Sequence, residues 1–591
     1  IRNIRNNLGF SALNVLGLTL GLTSAIFLIL YITDELSYDR YHENAERIYR
    51  VQSHISETDD EFTWIIAQIP FAEQVQQDYP EIESVARIFN QGQALFTFED
   101  IEFIEEDFYI ADTTIFDIFT YKFIYGSAAG SLARPNDIVL TKSIAEKYFG
   151  QENPLGKSLK SAETFYEVTG VIEDVPNNSH LRFDALISRL SLPAQMGSWG
   201  NFGVFTYILF PESTNVNEFE VKMQEMYEKY MASIFEAMGI TIAYELIPIT
   251  SIHLHSDNAG EPEPTGSITY VYIFSLVALF LILIAVMNYM NLATARSAKR
   301  SKEVGLRKVV GSGRGAIIAQ FLTESVTLTV IALFLSTILL GLLLPSFNLL
   351  AGKNFGWEIL FSPMILLSLI GIIILVGIIG GSYPAFYLSR FSPITAIRGE
   401  SNSGKKGALM RKILVVIQFS LSIAMIVCTL VVFNQMNFLK NKDQGWNMDN
   451  VVSLTLPNGE QLASMVVLKE KLLSLPQITA VSTTNTPVGA GSSKVIFNIE
   501  TTEGMAQRGV NFTVVDHDFV ETLGISVLEG RDFSPDRPTD TLMSVVINET
   551  LAKRFAWDEP LGKKVELGDE NTIRAEVIGV IKDYHQTGMY N

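Results

Sequence analysis

The run PTGSITYVYIFSLVALFLILIAVMNYMNLATA (Pro264–Ala295) contains no charged residue, and the basic segment RSAKRSKEVGLRKVVGSGR (Arg296–Arg314) follows it directly. A helix needs about 20 consecutive apolar residues to cross the hydrocarbon core of a bilayer. A core helix of a soluble protein is rarely uncharged over such a length. The run therefore predicts a membrane-spanning helix that ends in a basic segment.

Four further uncharged runs are long enough to cross a bilayer. They are Asn6–Thr33, Ser325–Gly352, Ile359–Ser389 and Ile413–Leu439. The first run is too long for the core of a signal peptide and lacks a small-residue cleavage site, so we expect a retained anchor. The sequence therefore predicts an integral membrane protein with five spans.

The composition combines apolar and acidic parts. The 591 residues have a mean hydropathy of +0.23 and a formal charge of −20. This combination suits neither a soluble enzyme nor a compact channel, because apolar spans must coexist with strongly acidic soluble segments. The single cysteine, Cys428, lies in an apolar run. It allows no disulfide framework, and we expect it to be a small packing residue.

Basic residues set the predicted orientation of the spans. They cluster in the N-terminal flank, between the second and third spans, and between the fourth and fifth spans. With five spans these three segments share one side, which the positive-inside rule assigns to the cytoplasm. The long acidic segments Asp34–Glu263 and Lys440–Asn591 are then outside, and we name them the first and second external domains. Their acidity argues against nucleic acid as a partner.

The two external domains resemble each other in sequence. Three segments recur with the same order and similar spacing: Tyr79–Val85 with Leu475–Val481, Ile138–Lys157 with Val545–Lys563, and Val168–Asp174 with Val577–Asp583. Each copy follows a span directly, which indicates duplication of a unit made of one span and one external domain. A complete duplication would add three spans after the second copy. We therefore expect the present chain to lack its last three spans.

Local patterns predict mixed secondary structure in both copies. Pro70–Tyr79 and Gln461–Leu473 are typical of helices, whereas Val168–Ile172 and Ala575–Ile581 are typical of short strands. Small modules with helices on one face of a sheet are the natural interpretation. The predicted fold class is an α-helical integral membrane protein with two extracytoplasmic α+β domains and an internal duplication.

The most specific motif lies in the basic segment. NYMNLATAR (Asn288–Arg296) precedes EVGLRKVVG (Glu303–Gly311), and QFLTE (Gln320–Glu324) follows it. This E-x-G-x-x-[RK]-x-x-G pattern, placed between two spans, resembles the MacB/FtsX family of ABC transporter permeases. The layout of one span, a large external domain and three further spans matches that family as well. The resemblance is closest to its duplicated, eight-span members, whose external domains are MacB-like periplasmic core domains.

The resemblance implies a short cytoplasmic helix over Ser301–Gly313 that docks on an ATP-binding subunit. The expected interface residues are Glu303, Gly305, Leu306, Arg307, Lys308 and Gly311. A cationic face suits an acidic groove of a partner, and the two glycines permit close approach and a tight turn. The alternative is an ordinary basic segment that serves only as a topology signal. The spacing of the motif favours the coupling role.

The resemblance also implies a function. It predicts a permease that couples ATP hydrolysis by a separate cytoplasmic ATPase, expected as a dimer, to movement of the external domains, a mechanism called mechanotransmission. Related permeases export macrolides, peptides or toxins, release lipoproteins, or regulate cell-wall hydrolases. The expected location is the bacterial inner membrane, with periplasmic external domains that meet an adaptor or outer-membrane partner, and with membrane lipid around the spans. No cofactor is expected in this chain, because ATP and Mg²⁺ would bind the partner.

Three rival functions make different predictions. A sensor or scaffold, for example a regulator of cell-envelope enzymes, requires a cytoplasmic signalling module, and no cytoplasmic connection between spans is long enough for one. An ion-coupled transporter requires carboxylates or histidines in the middle of the membrane, and the five runs have none there. A membrane-tethered enzyme requires a catalytic constellation. The sensor or scaffold is the alternative kept open.

Several residues that suggest chemistry have simpler interpretations. GQENPLGKS (Gly150–Ser158) resembles a phosphate-binding loop, but its glycines are one residue too far apart and its repeat partner reads GKK (Gly562–Lys564). His253 and His255 would share one face of a strand, yet two ligands without a nearby cysteine or carboxylate do not indicate a metal site. Asp516–Asp518 lacks a nucleophile and an oxyanion loop. We therefore predict no catalytic, cofactor-binding or metal site.

Polar residues in the spans complete the set of candidates. Glu324 lies near the cytoplasmic start of the third span and is predicted as a functional carboxylate at the membrane interface, with pairing to Arg314 or Arg307 as the alternative. Asn288 and Asn291 are expected to form hydrogen bonds between helices. The predicted division of the chain is residues 1–33 (cytoplasmic flank and first span), 34–263 (first external domain), 264–389 (second to fourth spans, with the coupling loop 296–314), 390–412 (cytoplasmic linker), 413–439 (fifth span) and 440–591 (second external domain).

Overall fold

A computed structural model of the chain describes residues 8–57, 61–193, 199–236, 239–258, 260–389, 404–447, 449–454, 456, 462–489, 493–502, 504–567 and 573–586. The chain forms two compact units. One unit combines Ile1–Tyr38 with Gly266–Phe438 and is helical; we name it the membrane unit. The other combines Asp39–Thr265 with Leu439–Asn591 and contains helices and sheets.

The helices follow the apolar and amphipathic stretches of the sequence. The described α-helices are α1 (Leu8–Glu35), α2 (Phe71–Asp78), α3 (Ile115–Ile118), α4 (Lys142–Phe149), α5 (Val216–Tyr230), α6 (Ala232–Phe235), α7 (Ile249–His255), α8 (Ile268–Val309), α9 (Arg314–Ala351), α10 (Pro363–Ile372), α11 (Gly380–Ser389), α12 (Gly404–Asn441), α13 (Leu462–Leu473), α14 (Phe519–Thr522) and α15 (Glu549–Arg554). Short 3₁₀ turns are Ala128–Gly130, Arg189–Ser191, Trp357–Phe361 and Pro538–Thr541.

Among the described residues, the strands lie in the two external domains. In the first domain they are β1 (Ile48–Ser56), β2 (Glu61–Trp64), β3 (Ala67–Gln68), β4 (Ser84–Asn90), β5 (Ala94–Phe98), β6 (Ile101–Glu105), β7 (Phe108–Ala111), β8 (Phe123–Gly126), β9 (Asp137–Thr141), β10 (Ser158–Ser161), β11 (Thr164–Ile172), β12 (Ala185–Ser188), β13 (Phe202–Leu209) and β14 (Thr241–Pro248). In the second they are β15 (Ser493–Thr501), β16 (Gly504–Phe512), β17 (Val527–Gly530), β18 (Ser544–Asn548), β19 (Lys564–Leu567) and β20 (Ile573–Ile581).

Within the described residues, five helical segments are long and apolar enough to cross a membrane. They are Ala12–Glu35, Ile268–Ala295, Arg314–Ala351, Pro363–Phe386 and Leu409–Asn441. The fourth segment is not a regular α-helix, because a π-helical stretch, Ile373–Ile379, joins α10 to α11. Pro384 lies inside α11 and has no N–H to donate, so the hydrogen-bond ladder cannot continue unchanged through this region.

Small and hydroxyl-bearing residues let α1 pack closely in the membrane unit. A Cβ at Gly21 would lie 3.0 Å from Cβ of Ala285 on α8. On the side of α9, the Thr19 hydroxyl donates to the main-chain oxygen of Ala332 at 3.3 Å, and the Ser336 hydroxyl donates to that of Thr19 at 3.0 Å. Such contacts are typical of helices that associate without a hydrophobic driving force between them.

The fifth membrane-spanning helix, α12, is less buried within the protein than the other four spans. Asn291 on α8 donates through Nδ2 to Oε1 of Gln418 at 3.2 Å, which confirms the expected interhelical hydrogen bond of that asparagine. None of the most apolar window of α12 is buried within the protein. Cys428 is consequently exposed on its surface, so our expectation that it packs inside the protein is wrong.

The first external domain is built on one large mixed sheet. Its strand order is β14-β1-β13-β4-β7-β12-β9-β11-β10-β5-β6, with β2 beside β1, β3 beside β13 and β8 beside β11. Most neighbours are antiparallel, but β11 pairs with β9 and β12 with β7 in parallel. Aromatic and aliphatic side chains on the sheet and on helices α2, α4 and α5 form its cores, which include Phe71, Tyr148 and Met223.

The second external domain repeats the central part of the first, from β5 to β11. Its order is β16-β15-β19-β20-β17, with β18 beside β20. The central strand β20 pairs in parallel with β18 and antiparallel with β17 and β19, as β11 does with β9, β8 and β10. A hairpin, β15–β16, extends this sheet as β5–β6 extends the other. The repeat found in the sequence is therefore also present in the fold.

Most local predictions for the external domains are confirmed. The predicted helices correspond to α2 and α13, and the predicted strands lie within β11 and β20. One prediction is wrong: His253 and His255 lie on the helix α7, where residues two apart do not share a face. His253 is buried and His255 is exposed. The alternation over five residues was too short to distinguish a strand from two turns of helix.

Candidate functional site

The predicted coupling residues lie on the C-terminal end of α8. This helix continues from Ile268 through Ala295 to Val309, so most of the coupling loop 296–314 is helical. The short helix implied over Ser301–Gly313 is present as the end of α8 and not as a separate helix. The physical reason is that the change from apolar to basic residues at Arg296 does not interrupt helix formation. Arg, Lys, Ala and Leu are all good helix formers, and the stretch contains no proline. The 14 residues from Arg296 to Val309 extend the helix by about 21 Å.

Not every predicted residue can be placed in full. Glu303 lies on α8, but its side chain is outside the described part of the structure, as are those of residues 296–302. Gly305 is buried and Leu306 is exposed. Most of the predicted cytoplasmic linker, residues 390–403, is also outside the described residues.

Gly311 ends α8 in a Schellman motif. Its N–H donates to the main-chain oxygen of Lys308 at 3.1 Å, and the N–H of Ser312 donates to that of Arg307 at 2.9 Å. The φ angle of Gly311 is +100°, a left-handed conformation in which a Cβ is unfavourable. The tight turn that we predicted at this glycine is therefore present, and it reverses the chain directly into α9.

Two cationic side chains connect this turn by hydrogen bonds to the last residue of α11, at the end of the fourth membrane segment. Lys308 donates through Nζ to the main-chain oxygen of Ser389 at 2.7 Å, and Arg314 donates through Nε to the Ser389 hydroxyl at 3.3 Å. Ser389 is the last residue of α11 and is fully buried. Positive charge is favourable at a helix C-terminus, where main-chain carbonyl groups have no partner within the helix.

An apolar face lies on the other side of the same turn. Leu306, Val309 and Val310 have exposed fractions of 62%, 60% and 81%. Residues three and four apart lie on one face of a helix, so these side chains form a short stripe. Arg307, next to this stripe, contacts Oε1 of Gln320 on α9. We name Leu306, Val309 and Val310 the apolar stripe.

Glu324 lies on α9, one turn beyond Gln320, and is half-buried. Arg314 contacts Ser389 and Arg307 contacts Gln320, and the alternative that one of these arginines pairs with Glu324 stays a prediction. Sequence reasoning missed both Ser389 and Gln320. Their polar side chains carry no spacing signal, because each acts through a contact with a residue remote in sequence. A functional role of Glu324 stays a prediction.

The other candidates form structural contacts. In the loop resembling a phosphate-binding motif, Gly156 has a φ of +77° and its N–H donates to the main-chain oxygen of Val168 at 2.9 Å, as Gly562 does to Val577 at 2.8 Å. Asp516 accepts hydrogen bonds from Lys469 at 2.7 Å and from Ser482 at 2.6 Å. Among the described residues, no group of three or more His, Cys, Asp or Glu side chains is arranged to hold a metal ion.

Two family models match the sequence. The MacB-like periplasmic core domain matches residues 11–226 and again 413–591, and the FtsX-like permease C-terminal domain matches residues 275–393. The second match contains the whole coupling segment, the apolar stripe and Ser389. The two matches of the first model correspond to the two copies that the fold contains.

Individual relatives agree with these matches. The macrolide export ATP-binding/permease protein MacB of Bdellovibrio bacteriovorus is 26% identical over 266 residues, which cover 44% of this chain and 38% of that protein. The uncharacterized ABC transporter permease YknZ of Bacillus subtilis is 25% identical over 264 residues, which cover 44% of this chain and 61% of that protein. In both cases the chain spans less than two thirds of the relative's length.

Among solved structures, the periplasmic region of MacB from Actinobacillus actinomycetemcomitans is 15% identical, with a TM-score of 0.25, and covers 34% of this chain and 90% of that one. The extracellular domain of the transporter YknZ from Gram-positive bacteria is 13% identical, with a TM-score of 0.24. The match covers 33% of this chain and 99% of that domain's chain. The family models carry the assignment, since the first accounts for more than half of the sequence. With its apolar helices and its two extracytoplasmic α+β domains, the chain belongs to the MacB/FtsX family of ABC transporter permeases.

Proposed function

We propose that this permease couples ATP hydrolysis by a separate cytoplasmic ATPase to movement of its external domains, and that the ATPase docks on the turn between α8 and α9. The observation that carries the proposal is the arrangement of this turn. One side presents the apolar stripe, and the other side is fastened to Ser389 through Lys308 and Arg314. A partner that binds the stripe would therefore act on α8, α9 and α11 together.

The chemistry of the stripe supports a protein partner. Leu306, Val309 and Val310 lie about 16–22 Å beyond Ala295 along the helix axis, well past the uncharged run. Apolar side chains that are exposed outside the membrane, beside cations such as Arg307, are typical of a docking site with an apolar centre and a polar rim. Gly311 keeps the turn compact enough to enter a groove.

Mechanotransmission accounts for the composition of the spans. The uncharged runs offer no row of charged side chains that would line a hydrophilic conduit, so the cargo need not cross the bilayer through this chain. ATP and Mg²⁺ would bind the ATPase and not this chain. We place the protein in a bacterial inner membrane, with the external domains in the periplasm, where they meet an adaptor or an outer-membrane partner. Export of a small molecule or peptide, or extrusion of a lipoprotein, is the proposed outcome.

The test is purification of the full-length protein from native membranes in a mild detergent, followed by identification of co-purifying chains and an ATPase assay. Leu306→Asp combined with Val310→Asp should lower the recovery of the ATPase about tenfold or more, because central apolar contacts dominate interface energies. Charge reversal at Glu303 or Arg307 should lower recovery and ATPase coupling in the same direction.

Val221→Asp and Leu542→Asp are matched controls, because both side chains are exposed and lie in the external domains. They should leave the recovery unchanged. If no ATPase co-purifies under conditions that preserve other ABC complexes, the proposal fails, and the external domains are better studied as a sensor or scaffold. If the ATPase co-purifies equally with the Leu306/Val310 variant, the docking site lies elsewhere.

A further inference from the structure

Lys353 joins the end of α1 to the turn that follows α9, within the membrane unit. Its Nζ lies 2.6 Å from Oδ2 of Asp34 and 2.7 Å from Oε1 of Glu35. Asp34 and Glu35 are the last two residues of α1, and Lys353 follows the C-cap of α9. The contact thus connects the ends of two helices through residues that are more than 300 positions apart in the sequence.

The cluster is largely removed from solvent. The Lys353 side chain is 12% exposed and that of Glu35 is 4% exposed. The ammonium group also lies 5.4 Å from the ring centre of Tyr31 and 5.3 Å from that of Tyr38, within the range of cation–π contacts. Burial disfavours the charged lysine, but the hydrogen bonds and charges of Asp34 and Glu35 outweigh this effect and raise the pKa of Lys353. The lysine is a permanent cation in this setting.

The backbone around Lys353 is held in place. Gly352 ends α9 in a left-handed conformation with a φ of +63°, and the N–H of Lys353 donates to the main-chain oxygen of Asn348 at 3.0 Å. The Asn348 amide then bridges the turn: its Nδ2 donates to the main-chain oxygen of Phe355 at 3.0 Å, and its Oδ1 accepts from the Phe355 N–H at 3.2 Å. The cation is therefore presented to α1 from a fixed turn.

We propose that Lys353 is a positioning residue that makes the outer ends of α1 and α9 move as one body, so that motion of the membrane helices is passed along α1 to the first external domain. This inference rests on the proposed function. The chain leaves α1 at Glu35 and enters the first external domain at Asp39, so no flexible linker separates the cluster from that domain in sequence.

The ionic nature of the contact fits a residue that fixes the relative position of the two helices better than one that only holds them together. An apolar contact between the same helices would permit sliding, because many registers bury similar surface. A buried cation has far fewer acceptable positions. If it moved away from its two carboxylates, all three charges would be left unpaired in a largely buried site. Ionic contacts of this type are best attested as devices that fix register.

The experiment measures whether ATP still moves the external domains when the cluster is broken. The single cysteine is replaced (Cys428→Ser), and spin labels are attached at V221C in the first external domain and L542C in the second, both at exposed positions. The distance distribution between the labels is recorded for the complex with its ATPase in lipid nanodiscs, with and without ATP. Hydrolysis is measured on the same sample.

Lys353→Met should reduce the ATP-dependent change in distance to about a third or less of that in the parent protein, while the rate of hydrolysis stays within about twofold. Lys353→Arg should restore the change, because an arginine can also bind both carboxylates. Should the Lys353→Met protein not fold, Asp34→Asn combined with Glu35→Gln breaks the same cluster with near-isosteric side chains and should give the same loss.

Two negative results have different meanings. If the parent protein responds to ATP and the variants respond equally, the positioning role of Lys353 is refuted while the proposed function stands. If the parent protein itself shows neither a bound ATPase nor a response to ATP, the proposed function fails and this inference fails with it.

Discussion

Asp112 and Asp516 occupy the same place in the two external domains but bind cations from different elements. The N–H of Asp112 donates to the main-chain oxygen of Arg87 at 3.1 Å, and that of Asp516 donates to Thr483, the corresponding residue, at 3.0 Å. In the first domain the cation is Arg87 on β4. In the second domain it is Lys469 on α13.

The cation lies on the strand in the first copy and on the helix in the second. Lys469 precedes Leu475 by the same number of residues as Glu73 precedes Tyr79, so the second copy carries a cation where the first carries an anion. Glu73 accepts a hydrogen bond from Arg87 at 2.9 Å. The contact between helix and sheet at Asp112 or Asp516 is thus ionic in both copies.

Arg87→Met should therefore destabilise the first external domain. The Arg87 side chain is only 8% exposed, and its loss leaves the carboxylate of Asp112 without its bidentate partner. We expect a loss of about 3 kcal/mol in the free energy of opening, which is typical of breaking a buried ion pair from one side. Hydrogen exchange of the full-length protein, followed by mass spectrometry on peptides of β4 and α2, measures this loss within the domain concerned.

Lys122→Met is the control for that substitution, because Lys122 pairs with Glu173 in the same domain but on the surface, where both side chains are exposed. It should change the same protection by no more than about 0.5 kcal/mol. Equal effects of the two substitutions would mean that burial does not decide the strength of these pairs.

Gly126→Ala and Gly156→Ala should differ although both glycines have positive φ angles, +80° and +77°. A Cβ at Gly126 would lie 2.6 Å from the main-chain oxygen of Thr169, whereas a Cβ at Gly156 meets no atom within 4 Å. Gly156→Ala should cost only the left-handed conformation, about 1–2 kcal/mol, and Gly126→Ala should cost clearly more. Thermal unfolding of the two purified variants gives the order, and a smaller effect at Gly126 would contradict it.

Periodicity and repetition in the sequence were sufficient to predict the architecture. Uncharged runs identify spans because soluble folds rarely contain them at that length, and the recurrence of the segment after Ile138 identifies the duplicated domain. The turn at Gly311 was also predictable, because glycine after a helix with cations in its last turn is a strong local signal. Each of these features depends on residues that are close in the sequence.

Features that depend on remote contacts were not predictable. No local sequence pattern indicates which residues Lys353, Asp34 and Ser389 contact. A signal was nevertheless available for Lys353: it is the sole charged residue between Glu324 and Glu358, and it lies on the side predicted to be poor in cations. The continuation of α8 beyond Ala295 was missed for a different reason, since hydropathy marks the end of a span but not the end of a helix.

Gly311→Ala should weaken the turn between α8 and α9 more than Gly313→Ala does. Gly311 has a φ of +100°, whereas Gly313 has a φ of −65° and a Cβ there meets no atom within 4 Å. The expected cost at Gly311 is about 1–2 kcal/mol. It should appear as faster hydrogen exchange of Leu306–Ser312 and as lower recovery of the ATPase. Unchanged exchange in the Gly311 variant would show that the Schellman motif does not stabilise the turn.

His42 gives the first external domain a dependence on pH. The ring is almost fully buried, and its Nδ1 accepts a hydrogen bond from the N–H of Thr120 at 3.1 Å. Burial lowers the pKa of His42 to about 4, with the nearby Asp39 opposing the shift and His180 adding to it. The folded domain therefore keeps this histidine neutral at pH values at which an unfolded chain, with a pKa of about 6.5, already binds a proton.

Because the unfolded chain binds more protons between pH 6.5 and pH 4, the stability due to His42 is complete above pH 6.5 and is lost as the pH falls toward 4. The loss should reach about 3 kcal/mol, at about 1.4 kcal/mol for each unit between the two pKa values. His42→Asn keeps a hydrogen-bond acceptor near the position of Nδ1 but does not titrate. Thermal unfolding at several pH values should show a steeper decrease for the parent protein than for the variant in this window, and parallel curves would refute the role of His42.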